Sequence, residues 1–295
     1  MSIEASALTN PPTEHLHVLP TENSRLDHVR LEDLHVTNFL NKESFFSRFA
    51  ALVLESKKND SKKSPEQGPA VSLTYNVFSA NLAHQNPAFK SILQRADILR
   101  CDGVGALMAS RMVKDPIHTR LTNADYFPEM LEYLASRNLT VFLIGGKPGV
   151  AEAALKKLET MVRFHSVVGV HHGYIHQDEA LNQEAIDQIN ALKPDVLVVG
   201  MGMPVQEFWI ERHRHQLNTH ICFAVGAMID YFGDAQFRCP KIFQLLGLEW
   251  LTRLLRYPKR MFSRYVIGNP AYLYRISRQA LGLDRSKVAE TLLSQ

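Results

Sequence analysis

Short apolar segments alternate with helix-like segments along most of this chain, and this alternation limits the fold more than any other feature. Strands are predicted by runs rich in Val, Ile, Leu and Phe. These runs lie at 70–74, 97–99, 140–144, 166–170, 195–199 and 221–225. Strands that alternate with helices favour a parallel sheet with right-handed crossovers. The sequence therefore predicts an α/β fold, a Rossmann-like open, mostly parallel sheet with helices on both faces.

Composition and cysteine usage narrow the class of protein. Hydrophobic residues make up 45% and charged residues 21% of 295 residues, as in ordinary globular proteins. No run of eighteen apolar residues occurs and the start has no apolar signal core, so we expect neither a membrane-spanning nor a secreted chain. Three cysteines without a CxxC pair argue against a disulfide framework and a structural zinc site. We expect a cytoplasmic protein with buried thiols.

Positive charge is concentrated near the C-terminus. The formal net charge is +3, but residues 253–278 hold seven Lys or Arg and no acid, so the rest of the chain sums to −4. Basic residues alternate there with Leu, Phe and Tyr, which suits contact with an anionic membrane surface. A solvated helical face or a nucleic-acid patch would show the same pattern. We divide the chain into a flexible arm (1–27), an α/β core (28–248) and a basic, membrane-contacting C-terminal appendage (249–295).

The segment Arg100-Cys101-Asp102-Gly103-Val104-Gly105 places a carboxylate in a tight turn between a predicted strand and a predicted helix. An Asp-Gly pair with a second glycine two residues on lets the backbone approach a ligand closely. In open α/β sheets this junction is where ligands bind. An Asp-Gly pair is more often only a turn, so a catalytic role for Asp102 depends on its neighbours along the chain. Thr74 and Asn76 are such neighbours, at the carboxyl end of the strand at 70–74.

Two glycine-rich turns precede predicted helices, where free N–H groups attract anions. The first turn contains Gly145 and Gly146, and its GGxxG spacing differs from the GxGxxG of dinucleotide-binding proteins. A nicotinamide dehydrogenase is thereby disfavoured. The second turn contains Gly200 and Gly202, and Gln206 and Glu207 follow in the first turn of the next helix. Glu207 is equally explained as an acid that complements the helix dipole.

Arg120 and Asp125 precede or begin an amphipathic helix predicted over 126–137. Asn123 or Asp125 would cap this helix, and capping is the simpler role for Asp125. Clustered histidines such as His171, His172 and His176 have no accompanying carboxylate pattern, so we interpret them as loop residues rather than metal ligands.

Together these motifs resemble the WecG/TagA/CpsF group of bacterial glycosyltransferases, glycosyltransferase family 26. The resemblance runs from about residue 31 to 265 and is most specific at GxGxPxQExW, residues 200–209. Other matching positions are Thr74, Asn76, Asn86-Pro87, Asp102 to Gly105, Arg120, Asp125, residues 145–149, Gly173-Tyr174, Gly226, Asp230, Arg238, Pro240, residues 247–250, Arg253, Pro258 and Arg260. The chain departs from the family at Asn123, Phe232 and Cys101, where Gly, Ala and Pro are common. None of these departures removes a charged or amide side chain.

The resemblance implies an inverting transfer of an N-acetylmannosamine-type or glucose-type sugar. The donor would be a UDP-sugar and the acceptor a polyprenyl-diphosphate-linked saccharide, in cell-surface or exopolysaccharide biosynthesis. Asp102 is the candidate base, because inverting transfer needs a group that takes the acceptor's proton. The candidate substrate-binding residues are Thr74, Asn76, Arg120, Asp125, Gly145, Gly146, Gly200, Gly202, Gln206, Glu207, Asp230, Arg253 and Arg260.

No DxD pair occurs in the sequence, so we expect no metal and no other cofactor. Arginines or helix N-termini would then meet the leaving diphosphate. The expected partners are the UDP-sugar, the lipid-linked acceptor and an anionic membrane surface on the inner face of the cell membrane. Nucleic acid is not expected as a partner, and a homo-oligomer is compatible with the sequence. The alternative is a non-catalytic nucleotide- or RNA-binding α/β protein, which would need neither Asp102 nor the Gln206-Glu207 pair.

Overall fold

The computed structural model describes residues 27–59, 68–175, 177–240, 242–243 and 247–283. The predicted N-terminal arm up to residue 26, most of the loop at 57–69, and His176 lie outside the described residues. Within the described residues, no helix is both long enough and apolar enough to cross a membrane.

Eight strands in the described part of the chain form one sheet, which confirms the predicted α/β, mostly parallel fold. They are β1 (His28–Leu31), β2 (Leu34–Thr37), β3 (Ala70–Tyr75), β4 (Ile98–Cys101), β5 (Val141–Gly145), β6 (Val167–His171), β7 (Val196–Gly200) and β8 (Ile221–Ala224). Their order is β1-β2-β4-β3-β8-β7-β5-β6. Only the β1–β2 pair, a hairpin at one edge, is antiparallel among these strands. Strand β1 was not predicted.

Helices connect the strands and continue beyond the sheet. They are α1 (Lys42–Lys58), α2 (Val77–Gln85), α3 (Pro87–Gln94), α4 (Val104–Met112), α5 (Asn123–Ala135), α6 (Val150–Glu159), α7 (Glu179–Leu192), α8 (Val205–His213) and α9 (Met228–Phe232). The C-terminal part contains α10 (Glu249–Arg256), α11 (Pro258–Phe262), a π-helical turn (Ser263–Ile267) and α12 (Gly268–Ala280).

The sheet separates two hydrophobic cores, one on each face. Val141 and Leu143 of β5 lie in one core, and Phe142 and Ile144 lie in the other, because successive strand residues point to opposite faces. Helices α1, α5, α6 and α9 cover the first core, and α2, α3, α4, α7, α8 and α12 cover the second. Burial on both faces explains why the central strands are continuously apolar in sequence.

The last described helix joins the basic C-terminal segment to the core. Tyr272 and Ile276 of α12 are fully buried, and the Tyr272 hydroxyl lies 3.1 Å from that of Tyr75 at the end of β3. Arg275 of α12 also pairs with Glu32 in the β1–β2 turn, with Nε 2.5 Å from Oε1. Helix α12 is therefore anchored against β3 and the β1–β2 turn.

A fully buried arginine, Arg100 of β4, links the strands at the centre of the sheet. Its Nη1 donates to Ser72 Oγ at 2.8 Å and to the Leu73 carbonyl at 3.1 Å, both on β3, and its Nη2 donates to the Ala224 carbonyl on β8. Nε and Nη2 also donate to Asn123 Oδ1 on α5, at 3.2 and 3.1 Å. Burial lowers the pKa of Arg100, and the nearby Tyr126 and Asp102 raise it. Arg100 thus uses its donors to connect β3, β8 and α5.

Removing the Asn123 side chain tests this network. In Asn123→Ala the Arg100 Nε and the Tyr126 hydroxyl, which donates to Asn123 Oδ1 at 2.7 Å, lose their acceptor inside the core. We expect the free energy of unfolding to fall by about 1–3 kcal/mol, the cost of leaving buried donors unpaired. Urea denaturation measures the change. Asn59→Ala, at an exposed helix end, is the control, and an equally small effect in both variants would contradict the assigned role.

Candidate active site

The register of the sheet brings the residues after β3 and β4 together. Tyr75 pairs with Cys101, so Asn76 and Asp102 follow neighbouring strands at the same edge. The Asp102 backbone N–H donates to the Tyr75 carbonyl at 2.8 Å, which extends the hydrogen bonding between the two strands by one residue. Gly103 then turns the chain into α4 with φ of 90°, a conformation that residues with a Cβ rarely adopt. The Asp-Gly turn therefore presents a carboxylate at the carboxyl edge of the sheet.

Asp102 lies in a cavity of about 210 Å³. Its Oδ1 accepts a hydrogen bond from Thr122 Oγ1 at 2.8 Å. Burial raises the pKa of Asp102 above its ordinary value, while the Thr122 hydrogen bond lowers it; Glu249 adds to the rise, and Arg253 and Arg100 oppose it. A carboxylate with a raised pKa is a stronger base than an exposed aspartate, provided that it is ionised.

Seven of the predicted site residues line this cavity together. They are Thr74, Asn76, Asp102, Gly202, Gln206, Arg253 and Arg260. They come from the ends of β3, β4 and β7 and from the C-terminal helices, segments that are far apart in sequence. Asn76 also caps α2, since its Oδ1 accepts from the N–H groups of Phe78 and Ser79 at 2.9 and 3.0 Å.

The C-terminal helices form one wall of the cavity. Arg253 of α10 donates to Glu249 and to the Tyr231 hydroxyl. Burial lowers the pKa of Arg253, but Tyr231 and Glu249 outweigh this and raise it overall. Arg260 of α11 and Arg264 of the π-helical turn also line the cavity. The C-terminal helices therefore add three arginines to the cavity that contains Asp102, an arrangement suited to an anionic substrate.

Gln206 and Glu207 form a buried unit beside the cavity. Gln206 Oε1 accepts from the Gly226 backbone N–H at 2.9 Å, and Gln206 Nε2 donates to Glu207 Oε1 at 2.8 Å. Because the Gly226 N–H is a donor, it fixes the orientation of the Gln206 amide. Glu207 is fully buried, and burial raises its pKa to about 7. Glu207 does not line the cavity, so it positions Gln206 rather than contacting a ligand there.

The glycine pair predicted to cradle a diphosphate is closely packed, and its role in binding a diphosphate stays a prediction. A Cβ added to Gly145 would lie 2.6 Å from the Gly200 carbonyl oxygen and 2.7 Å from Ile229 Cδ1. Gly145, Gly146 and Gly200 do not line the cavity described above. Gly146 instead adjoins Asp230 of α9. Burial raises the pKa of Asp230, and Arg260 and Lys147 lower it. These residues make a polar region next to the cavity rather than part of its wall.

Arg120 and Asp125 also lie outside the cavity lining. Asp125 forms an ion pair with Arg238, whose Nη1 donates to the Ala124 carbonyl at 3.0 Å. Arg120 Nη2 lies 3.9 Å from Asp125 Oδ2. Arg238 does line the cavity, so Asp125 contributes to the site by holding Arg238 in position.

The predicted cap of α5 was wrong. The helix begins at Asn123 with Thr122 at the N-cap position, and Thr122 makes no side-chain capping bond. The reason is that the polar side chains have other partners: Asn123 binds Arg100, Thr122 binds Asp102, and Asp125 pairs with Arg238.

Sequence reasoning did not select Thr122, Tyr231 and Arg264 as site residues. Thr122 sits in a polar stretch beside Arg120 with no motif to mark it. In sequence, Arg264 looks like the other basic residues of the C-terminal appendage. In the structure its guanidinium lies 4.1 Å from the centre of the Phe78 ring on α2. Its place in the site depends on the fold of α11 and the π-helical turn, which no sequence pattern specified.

The fold and the cavity define a class of enzyme. A partly buried carboxylate faces several arginines at the carboxyl edge of a parallel sheet, where α/β proteins bind their ligands. Such a site can take a proton from one substrate while cations stabilise a negatively charged leaving group on another. This is the arrangement expected of a transferase that acts on phosphate-bearing substrates.

The chain belongs to the glycosyl transferase WecG/TagA/CpsF family, whose sequence model matches residues 48–286. Two relatives from Staphylococcus aureus, strains MW2 and MRSA252, are each 31% identical over 216 residues, covering 73% of this chain and 82% of the relative. Both are named N-acetylglucosaminyldiphosphoundecaprenol N-acetyl-beta-D-mannosaminyltransferase. The protein is a glycosyltransferase, and the alternative of a non-catalytic nucleotide- or RNA-binding protein is not favoured.

The raised pKa of Glu207 predicts a pH-dependent stability. The ordinary glutamate value is 4.5 and the folded value is about 7, so with rising pH the unfolded chain loses this proton first. Wild-type stability should therefore fall between these values and level off above them. Between pH 5 and pH 8 the ionisation of Glu207 should lower the free energy of unfolding by about 2–3 kcal/mol, given 1.36 kcal/mol per pKa unit.

The Glu207→Gln variant should not show this loss of stability with rising pH. The control Glu184→Gln, at an exposed position of α7, should still show it. Thermal and urea unfolding at several pH values measure the difference. Parallel pH profiles for wild type and Glu207→Gln would show that Glu207 is ionised normally.

Proposed function

We propose that this enzyme transfers an N-acetylmannosamine-type sugar from a UDP donor to a polyprenyl-diphosphate-linked N-acetylglucosamine, with inversion at the sugar C1. The names of its Staphylococcus aureus relatives support the acceptor and the sugar. The observation that carries the proposal is Asp102, which lines the same cavity as Arg253, Arg260 and Arg264.

The proposed reaction is a single displacement. The acceptor hydroxyl attacks C1 of the donor sugar while Asp102 takes its proton, and the bond from C1 to the UDP oxygen breaks. The UDP leaves with the electron pair of that bond. The Thr122 hydrogen bond to Oδ1 fixes the carboxylate, so that Oδ2 is the oxygen available to the acceptor. The raised pKa of Asp102 makes proton transfer more favourable than it would be for an exposed aspartate.

The leaving diphosphate needs a positive environment. Arg253 and Arg260 are the side chains that we assign to it, because both line the cavity that contains Asp102. Glu249 and Tyr231 hold Arg253 in place before the substrate arrives. Gly202, Gln206 and the Gly226 turn form the part of the cavity that we assign to the donor's nucleotide. The proposed reaction uses no metal and no further cofactor, and this absence stays a prediction.

Replacing the proposed base gives the first test of this function. Asp102→Asn keeps an oxygen for Thr122 but cannot accept the acceptor's proton, so kcat should fall by about 10²- to 10⁴-fold. UDP affinity and stability should stay close to wild type. Transfer of radiolabelled N-acetylmannosamine to a lipid-linked acceptor measures kcat, and calorimetry measures UDP binding.

Asp115→Asn, an exposed carboxylate outside the site, is the matched control and should transfer at the wild-type rate. If Asp102→Asn keeps more than about a tenth of wild-type kcat, a loss below the range for a general base, Asp102 has another role. Absence of transfer by the wild type to lipid-linked acceptors from any of a panel of UDP-sugars would reject the proposed function itself.

We further propose that the enzyme works on the inner face of the cell membrane. A lipid-linked acceptor requires such a location, and the C-terminal helices carry a surface that fits it. Leu255 is 74% and Phe262 53% exposed, next to the exposed basic residues Arg256 and Lys259. Apolar side chains flanked by cations favour an anionic lipid surface, at about 1 kcal/mol per basic residue near it.

Neutralising the two exposed cations separates membrane contact from catalysis. In Arg256→Gln/Lys259→Gln we expect weaker co-sedimentation with anionic vesicles but near-normal transfer to a detergent-soluble acceptor, because neither side chain carries out the chemistry. High salt should weaken the wild-type vesicle binding in the same direction. Lys114→Gln/Lys156→Gln, at two exposed lysines outside the C-terminal helices, serves as the control for charge alone. Equal vesicle binding by both double variants would argue against this membrane surface.

A further inference from the structure

A second and larger cavity adjoins the active site. This groove has a volume of about 930 Å³ and lies between α2, the β1–β2 turn and the C-terminal helices. It shares Met203, Arg260, Met261 and Arg264 with the active-site cavity. The two spaces therefore meet at these side chains, and a ligand in the groove can reach the site that contains Asp102.

Two cations without carboxylate partners stand at this junction. Among the described residues, neither Arg260 nor Arg264 lies in an ion pair, whereas Arg253 and Arg275 both do. The Arg264 guanidinium lies over the Phe78 ring, and its buried Nε has no hydrogen-bond partner within the described structure. Burial is also the main cause that lowers the pKa of Arg264. Arg264 is partly buried, and a buried cation outside an ion pair gains strongly from a bound anion. The exposed Arg260 adds a second guanidinium at the junction, which is therefore suited to a phosphate or diphosphate.

Beyond the junction, apolar side chains line the groove on both sides, between polar residues of α2 such as Asn81 and Gln85. Phe78 and Leu82 of α2 line one side, and Ile267 and Ala271 line the other. The charges at the far end compensate one another: Arg275 pairs with Glu32, and Asp33 pairs with Lys90 at 2.5 Å. Arg260 and Arg264 at the active-site end thus contrast with these ion pairs. A ligand that fits this arrangement has an anionic head at the active-site end and an apolar chain along the groove.

The groove also has the size that a lipid-linked substrate needs. Its volume falls in the range of about 300–1,000 Å³ that is usual for ligand sites, whereas the active-site cavity is smaller than that range. The C-terminal helices that line the groove also carry the exposed Phe262 and Ile267, at 53% and 58% exposure. A chain leaving the groove would therefore emerge beside the proposed membrane surface.

We propose that this groove binds the acceptor: its diphosphate lies beside Arg264, on the groove side of Arg260, and the first isoprenoid units lie between α2 and α12. The inference rests on the proposed transfer reaction for the identity of the ligand. It assigns the two substrates to different spaces, with the nucleotide near Gly202 and Gly226 and the lipid on the opposite side of Arg260.

Filling the groove tests this assignment. Ala271 of α12 is exposed and lines the groove, so Ala271→Trp should occupy the space of the isoprenoid units. Leu273→Trp is the matched control, because Leu273 is 39% exposed on the same helix and does not line the groove. With a long-chain acceptor, Ala271→Trp should raise the acceptor KM by about tenfold or more, the effect of losing a few buried methylene groups. The KM for the UDP-sugar and transfer to a short-chain acceptor should stay unchanged.

A binding measurement that requires no transfer completes the experiment. Undecaprenyl diphosphate in detergent micelles should bind the wild type and Leu273→Trp equally, and Ala271→Trp more weakly by a similar factor. Equal binding by the two tryptophan variants would overturn the assignment. A higher KM for the UDP-sugar in Ala271→Trp would also overturn it, because the groove would then hold the nucleotide. If the wild type transfers no sugar, the proposed function fails, but the binding comparison still decides whether the groove holds a prenyl diphosphate.

Discussion

The buried guanidinium of Arg100 connects the elements on which the active site depends. It donates to β3, to β8 and to Asn123 on α5, and it lies two residues before Asp102. The ends of β3 and β8 carry Asn76 and Gly226, and the start of α5 follows Thr122. A cation without a carboxylate in contact is costly to bury, so these hydrogen bonds must stay in place together. The relative positions of Asp102, Thr122 and the Gly226 turn therefore follow from one set of buried contacts.

The C-terminal helices supply positively charged side chains to the site at the sheet edge. The edge provides Asp102, Thr122 and backbone groups, but the positive charges come from Arg253, Arg260 and Arg264. Helix α12 follows these arginines in the chain and is anchored by Tyr272 and Ile276, which are buried in the core. The same helices separate the active-site cavity from the groove and expose the apolar side chains of the proposed membrane surface. One segment can thus bring together the leaving diphosphate, the acceptor and the lipid surface.

The sheet and the position of Asp102 could be predicted from the sequence, because both depend on local sequence patterns. The strand–helix alternation predicted the parallel sheet, and the Asp-Gly turn predicted a carboxylate at its carboxyl edge. The glycines at 145 and 200 were harder to interpret, since a glycine required for close packing and one required for ligand approach look alike in sequence. Arg264 could not be separated from the surface arginines, because its burial depends on Phe78, nearly two hundred residues away. Asn123 looked like a helix cap, but a distant arginine uses its oxygen.

The central claim is that the ionised carboxylate of Asp102 is the base that makes transfer possible. The most direct test is the pH dependence of kcat/KM for the wild type and for Asp102→Glu, which keeps a carboxylate but changes its surroundings. The account predicts that activity is lost at low pH through an ionisation above the ordinary aspartate value, because burial raises the pKa of Asp102. It also predicts that this ionisation moves in Asp102→Glu. An acidic limb at the same pH in both enzymes would show that another group controls the reaction.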